Sequence, residues 1–272
     1  MRGRMPFWML LVAFGTLTPA CRKDGPKRIV LATTTSVRDC GLLDELIPAF
    51  EKETGIPVAP IAVGSGEALR MGRDGNADVL LVHDAAGEEQ LARDGLVADD
   101  AEIMRSRFVV VGPAADPAGI RGVANAAEVF AKLGAAQATF VSRGDDSGTH
   151  RLERKLWKAA NVVPDGAPWY VSVGSGMMQT LRVANEKQGY TLTDTATWLK
   201  AKSTLDLVVL VDSAAPEWAN IYSVLLLSPE KFPALNHDGA RRFWDFLVSG
   251  AGRRIIENFG KRQYGAAVFQ VP

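Results

Sequence analysis

The feature that most limits the fold is a repeated switch from short β-branched runs to amphipathic stretches, with small hydroxyl residues or glycine at many of the switches. Arg28-Ile-Val-Leu-Ala-Thr33 reads as a strand. In the following segment, Cys40 to Glu53, Leu43, Leu46, Ile47 and Phe50 recur at helical spacing, and Gly55 stands just past the end. Ile56 to Val63 predicts a strand, Gly66 to Gly72 a short helix, Ala77 to Val82 a third strand, and Gly87 to Asp94 a helix closed by Gly95. This βαβαβα rhythm calls for an α/β fold with a parallel sheet covered by helices on both faces.

A second series starts at the apolar strand Phe108-Val-Val-Val-Gly-Pro113. It predicts helices over 123–133, 147–160, 175–188 and 193–200, and strands over 138–141, 169–173 and 207–211. A strand over 221–227 and helices over 239–248 and 252–259 complete the pattern. Val63-Gly-Ser-Gly66 and Val173-Gly-Ser-Gly176 each end a strand and open a helix, an internal echo that favours two similar lobes. The 272 residues suffice for two lobes of about 100–150 residues each. The expected division is 28–108 for lobe 1, 109–221 for lobe 2 and 222–272 for the rest of lobe 1. Each lobe would hold a central, mostly parallel sheet flanked by helices, and two chain crossings would form the hinge.

The N-terminus reads as an export signal. Arg2 and Arg4 precede a short apolar run from Met5 to Gly15, and Thr16-Leu-Thr-Pro-Ala20 follows. The run is shorter than the about 20 residues a helix needs to cross a bilayer. Residues 1–20 are therefore assigned to a signal peptide and 21–27 to a tether. Cys21 directly after Ala20 resembles a bacterial lipoprotein cleavage site and is the expected lipidation position, although Thr18 stands where that pattern usually has Leu. Cys40 then reads as a small buried residue; an unmodified Cys21 would instead allow a Cys21–Cys40 disulfide in an oxidising compartment. Basic and acidic residues balance at 31 each, which excludes a nucleic-acid binder that relies on a basic surface. Three His and two Cys leave little for a multi-ligand zinc site, and no cofactor is expected.

Four segments stand where a strand gives way to a helix: Thr33-Thr-Thr-Ser36, Gly64-Ser-Gly66, Ser142-Arg-Gly-Asp-Asp-Ser-Gly-Thr149 and Gly174-Ser-Gly176. Open α/β sheets bind ligands at this end of their strands. Helix N-termini supply free N–H groups and partial positive charge there. Serine and threonine add hydroxyl donors, and Arg143 adds a planar charge suited to an oxygen-rich anion. Helix capping alone accounts for any one of these residues, but four such segments around one cleft exceed what capping needs. Asp145 and Asp146 read as caps or as partners holding Arg143. A bare carboxylate repels a dianion unless the ligand brings a proton. Hydrogen phosphate brings one, whereas sulfate, molybdate and tungstate need donors only.

The chain resembles the tungstate-binding receptors of bacterial tungstate ABC importers over essentially all of residues 28–272. The resemblance is carried by Leu31-Ala-Thr-Thr-Thr-Ser36, Gly41-Leu-Leu43, Phe50-Glu-Lys-Glu-Thr-Gly55, Val63-Gly-Ser-Gly66 and Ala77-Asp-Val-Leu-Leu-Val-His83. It continues in Phe140-Val-Ser-Arg-Gly-Asp-Asp-Ser-Gly-Thr-His150, Tyr190-Thr-Leu-Thr-Asp194 and Tyr264-Gly265. It implies a periplasmic-binding-protein fold of the type II kind, a monomer that closes on tungstate or molybdate and delivers it to an inner-membrane permease subunit. Carried over by position, Thr34, Thr35, Ser65, Arg143, Ser147, Thr149 and Ser175 are the implied ligand contacts. This chain has Ser172 and Ser175 where the family usually has a bulkier polar pair. The Arg-x-Asp-x-Ser-Gly-Thr spacing at 143–149 also looks like the phosphate motif of periplasmic phosphate receptors, so phosphate and sulfate stay open. The alternative of another class is a serine hydrolase using Ser147 with His150, three apart on one predicted helix; no Gly-x-Ser-x-Gly elbow supports it.

Overall fold

The computed structural model describes residues 27–265 and 267–272. The expected signal peptide, Cys21 and all of the tether but Lys27 lie outside the described residues.

Lobe 1 opens with β1 (Ile29–Thr34), α1 (Thr35–Asp39), α2 (Leu43–Thr54), β2 (Val58–Val63), α3 (Ser65–Arg73), β3 (Val79–Val82) and α4 (Ala85–Arg93). Strand β4 (Val97–Gly112) then runs into lobe 2. That lobe holds α5 (Ala126–Ala135), β5 (Phe140–Ser142), α6 (Gly148–Ala159), β6 (Tyr170–Ser172), α7 (Met177–Glu186), β7 (Thr191–Asp194), α8 (Thr195–Ala201) and β8 (Val208–Asp212). The chain returns through β9 (Ala219–Leu227) and ends in α9 (His237–Val248), α10 (Ala251–Asn258) and α11 (Lys261–Tyr264).

In lobe 1 the strand order is β2-β1-β3-β9-β4, and β4 continues into lobe 2 to pair with β7 and β8. Strands β1, β2 and β3 are mutually parallel, as are β5 and β6. Every antiparallel pair involves a crossing strand, β4 or β9. The sheets are therefore mixed, parallel away from the hinge and antiparallel at it. Side chains alternate with the pleat. Leu31, Val79 and Leu81 face the core built with Phe50 and Phe243, whereas Ala32, Leu80 and Val82 face the one built with Leu69 and Leu91. Lobe 2 repeats this: Phe108 and Val110 pack with Phe140 and Trp157, and Val109 and Val111 with Val141 and Leu181. Both lobes are thus sheets filled on two faces.

The hinge is β4, whose residues 97–107 pair with β9 and whose residues 108–112 pair within lobe 2. Asn220 Nδ2 donates to Ser106 Oγ (3.1 Å) where the two crossings touch. The sequence reading missed residues 97–107 because their charged side chains, Asp99, Asp100, Glu102 and Arg105, suggest a loop. A strand open on one face carries such residues without cost. The expected helix over 193–200 also needs correction: Thr191–Asp194 is strand β7, and Asp194 caps α8 by accepting from Thr197 N–H (2.8 Å). Gly55, at φ +72°, ends α2 in a left-handed turn. Cys40 is buried, its Sγ donates to Val37 O, and burial pushes its thiol up to about 12.

Candidate functional site at the interlobe seam

Strand β1 ends in a chain of hydroxyls. Thr33 Oγ1 donates to Leu81 O (2.9 Å) and serves the sheet, while Thr34 Oγ1 and Ser36 Oγ lie 2.9 Å apart. Ser36 Oγ lies 3.2 Å from His83 Nε2, at the end of β3. Thr35 opens α1 and accepts from Arg143 Nη2 across the seam at 3.5 Å. Thr34 and Ser36 are buried.

On the lobe 2 side, β5 ends at Ser142, whose Oγ donates to the buried carboxylate of Glu153 (2.8 Å) and accepts from Gly144 N–H (3.2 Å). Gly144 sits at φ +60°, which turns the chain back toward the cleft. Glu153 also takes Tyr170 OH (2.7 Å) and Trp157 Nε1 (3.2 Å); burial lifts its carboxyl to about 7 despite these three donors. A buried anchor thus fixes the loop that carries Arg143.

Arg143 is buried, with only 3% of its surface exposed. Its Nε and Nη2 donate to Asp145 Oδ2 (3.2 and 2.6 Å), and Asp145 Oδ1 takes Ser147 N–H (3.3 Å). Asp145 is therefore saturated as the holder of Arg143, and among the described residues Nη1 has no protein acceptor. Ser147 is the N-cap of α6, accepting from His150 N–H (3.4 Å), and Thr149 is buried in the helix's first turn. The His150 ring accepts from Asp146 N–H through Nδ1 (3.1 Å) rather than bonding Ser147 Oγ, so the serine–histidine pair of a hydrolase is not assembled.

The N-termini of α3 and α6 meet across the seam. A methyl group on Gly64 would lie 3.8 Å from Ser147 Cα, and one on Gly148 would lie 3.1 Å from Ser65 Oγ and 3.3 Å from His83 Cε1. No side chain caps α3. Ser65 is buried, and among the described residues its Oγ has no hydrogen-bond partner; the same holds for His83 Nδ1. Two positive helix ends, a buried guanidinium and two orphaned polar atoms crowd one dry space. Asp145 neutralises the guanidinium, while the two helix ends keep the partial positive charge that an anion would complement. Desolvation, and next the Arg143 charge, push the His83 imidazole down to about 4, which keeps it neutral. Asp194, the remaining carboxylate near Arg143, gives both oxygens to Thr197.

The structure therefore brings Thr34, Thr35, Ser65, Arg143, Ser147 and Thr149 to one seam. Ser175 stands apart. Its N–H donates to Arg143 O (3.2 Å), and the residue lines an open cavity of about 550 Å3 with Arg38, Gln179, Arg182 and Lys200. The ligand contacts implied by the sequence omit Ser36 and His83, although Ser36 closes the Thr33–Ser36 donor segment. His83 follows β3 just before the N-cap Asp84 of α4, a strand-to-helix junction like the four singled out. Its signals were that position and its place at the end of Ala77–His83, a segment that carries the family resemblance.

An α/β fold of two lobes joined by crossing strands, with opposed helix N-termini at the seam, defines a solute-binding protein of the hinged kind. Residues 22–251 match the PBP superfamily domain, and the chain belongs to that superfamily. It is 41% identical over 243 residues, 89% of this chain and 84% of its relative, to the tungstate-binding protein TupA of Peptoclostridium acidaminophilum. The solved structure of a tungstate ABC transporter protein from Geobacter sulfurreducens is 41% identical with a TM-score of 0.76, covering 85% of this chain and 98% of that one. That of the tungstate-binding protein TupA from Desulfovibrio alaskensis G20 is 39% identical, also at 0.76, covering 91% and 99%.

Proposed function

We propose that this chain is the periplasmic receptor of an ABC importer and that it captures tungstate, with molybdate as the nearest competitor. The observation that carries the reading is the meeting of the uncapped α3 N-terminus, with its orphaned Ser65 Oγ, and the α6 N-terminus beside buried Arg143. In this reading Thr34, Thr35, Ser65, Ser147 and Thr149 contribute hydroxyls or main-chain N–H groups and Arg143 the charge. Ser175 takes a peripheral place at most. The saturation of Asp145, Asp194 and Asp84 by their own partners favours a ligand that needs donors only over one that must share a proton, such as hydrogen phosphate. Lobe 1 is taken as 28–108 with 222–272 and lobe 2 as 109–221. Residues 1–20 export the chain, and Cys21 anchors it as a lipoprotein. The relatives' names as binding proteins of transporters support a carrier without catalysis.

Isothermal titration of the chain with tungstate, molybdate, sulfate and phosphate tests this. The expected order is tungstate or molybdate first, sulfate weaker and phosphate weakest. Preferential phosphate binding overturns the choice of ligand, and no binding of any of the four overturns the reading of the site.

A further inference from the structure

Arg151 of α6 stands one turn behind Ser147, its N–H donating to Ser147 O (2.9 Å). Its Nη1 crosses to lobe 1 and meets Asp84 Oδ2 at 2.7 Å. Nη2 and Nε return to Asp146 Oδ2 and Oδ1 at 2.9 and 3.1 Å. One guanidinium thus bridges carboxylates from both lobes, and its hydrogen bond draws Asp146 below the usual carboxylate range. The fork packs on Gly66 in the first turn of α3, where a methyl group would lie 3.1 Å from Arg151 Cζ and would require the guanidinium to shift. Each participant is next to a residue of the anion seam: Asp84 follows His83, Asp146 follows Asp145, and Gly66 follows Ser65. An anion between the helix ends does not need this contact, since Arg151 is already neutralised by two carboxylates.

We propose that Arg151, seated on Gly66 and bridging Asp84 to Asp146, is a positioning residue that latches the two lobes shut and sets the rate at which the bound anion is released. The proposal rests on the anion-cleft reading above. Gly66 then serves the latch, which explains the second glycine of the Gly64-Ser-Gly66 segment without assigning it to the ligand. The bridge is half-exposed, with 38% of the Arg151 side chain open to solvent. A lone ion pair there would contribute little, but a bidentate bridge to two carboxylates contributes more and weakens with salt.

The test uses tungstate-loaded protein, with release on dilution followed by elemental analysis of the retained metal. Arg151→Met should release about tenfold faster or more, the scale of one lost charge-assisted contact, with association changed less than about threefold. Arg151→Lys, which still reaches one carboxylate, should recover part of the loss. Wild-type release should quicken with added sodium chloride more than release from Arg151→Met does. Release from Arg151→Met within about twofold of wild type at low salt overturns the latch. If wild type retains no anion, the cleft reading fails, and X-ray scattering of the anion-free chains decides the latch: a more extended Arg151→Met supports it, and matching curves overturn it.

Discussion

Val63-Gly-Ser-Gly66 and Val173-Gly-Ser-Gly176 are the same four residues at equivalent places in two βα series, yet the structure uses them differently. In the first, Gly64 is the helix N-cap and Ser65 the first residue of α3. In the second, Gly176 is the N-cap of α7, so the helix starts two residues later and Ser175 falls before it. The difference has a local cause. Gly174 lies at φ +66° and Ser175 N–H is spent on Arg143 O, which holds the serine in a turn outside the helix. It also has a tertiary one. Gly64 and Gly66 are pressed against Ser147 and Arg151 of the other lobe, whereas additions at Gly174 or Gly176 would meet nothing within 4 Å. The first motif packs directly on the opposite lobe, whereas the second faces it across an open cavity lined by Arg38, Asp39 and Asp44.

The largest effect should come from the residue between the two segments. Arg143→Glu sets a carboxylate against a dianion and breaks a buried charged contact, a loss of about 2–5 kcal/mol in tungstate binding by titration. Unchanged affinity would show that Arg143 is not in the site. Next comes acid. The His83 imidazole titrates near 4 in the folded chain against 6.5 in its ordinary state, so the unfolded chain takes up the proton first. Stability is therefore retained above pH 6.5 and lost as the pH falls toward 4, by up to about 3 kcal/mol, less whatever solvent reaching the ring removes. Glu88 and Glu153, both raised to about 7 by burial, act in the opposite direction. The measurement is accordingly the difference in denaturant stability between wild type and His83→Gln across this range. A difference that does not move with pH would remove the neutral ring from the seam.

Much of this was legible in the sequence, for reasons that differ by element. Leu43, Leu46 and Phe50 are buried at helical spacing, and Gly55 ends α2, because local pattern and tertiary packing agree there. Asp145 and Asp146 could both be read as caps or holders of Arg143; Asp145 does hold it, whereas Asp146 pairs with Arg151 on the next helix. The first part of β4, residues 97–107, was illegible, since its charged residues face outward on a hinge that only the paired lobes define. The last two residues of β7 were read as helix because Thr193 and Asp194 adjoin α8, and a capping aspartate looks the same from either side. His83 and Arg151 belong to the seam itself. Their partners, Ser36 at 3.2 Å and Asp84 at 2.7 Å, lie 47 and 67 residues away, and no periodicity carries that information.

The smallest expected effect is also the one that decides the comparison. Ser65→Ala removes a buried hydroxyl that has no protein partner, so it breaks no hydrogen bond within the fold and leaves stability near its wild-type value. If Ser65 Oγ donates to a charged ligand, affinity should fall by about 1.5–3 kcal/mol, roughly ten- to a hundredfold. Ser175→Ala removes a half-exposed hydroxyl on the rim of an open cavity, where water replaces what is lost. Its effect should stay within about 0.5 kcal/mol. The two variants delete the same atom from the same tetrapeptide, so side-chain volume cancels between them, although only Ser65 lies within a helix. What remains beyond that is how closely the opposing lobe packs. Equal losses in titration would mean that the second segment closes on the anion as the first does, and that the seam between α3 and α6 is one half of a larger site.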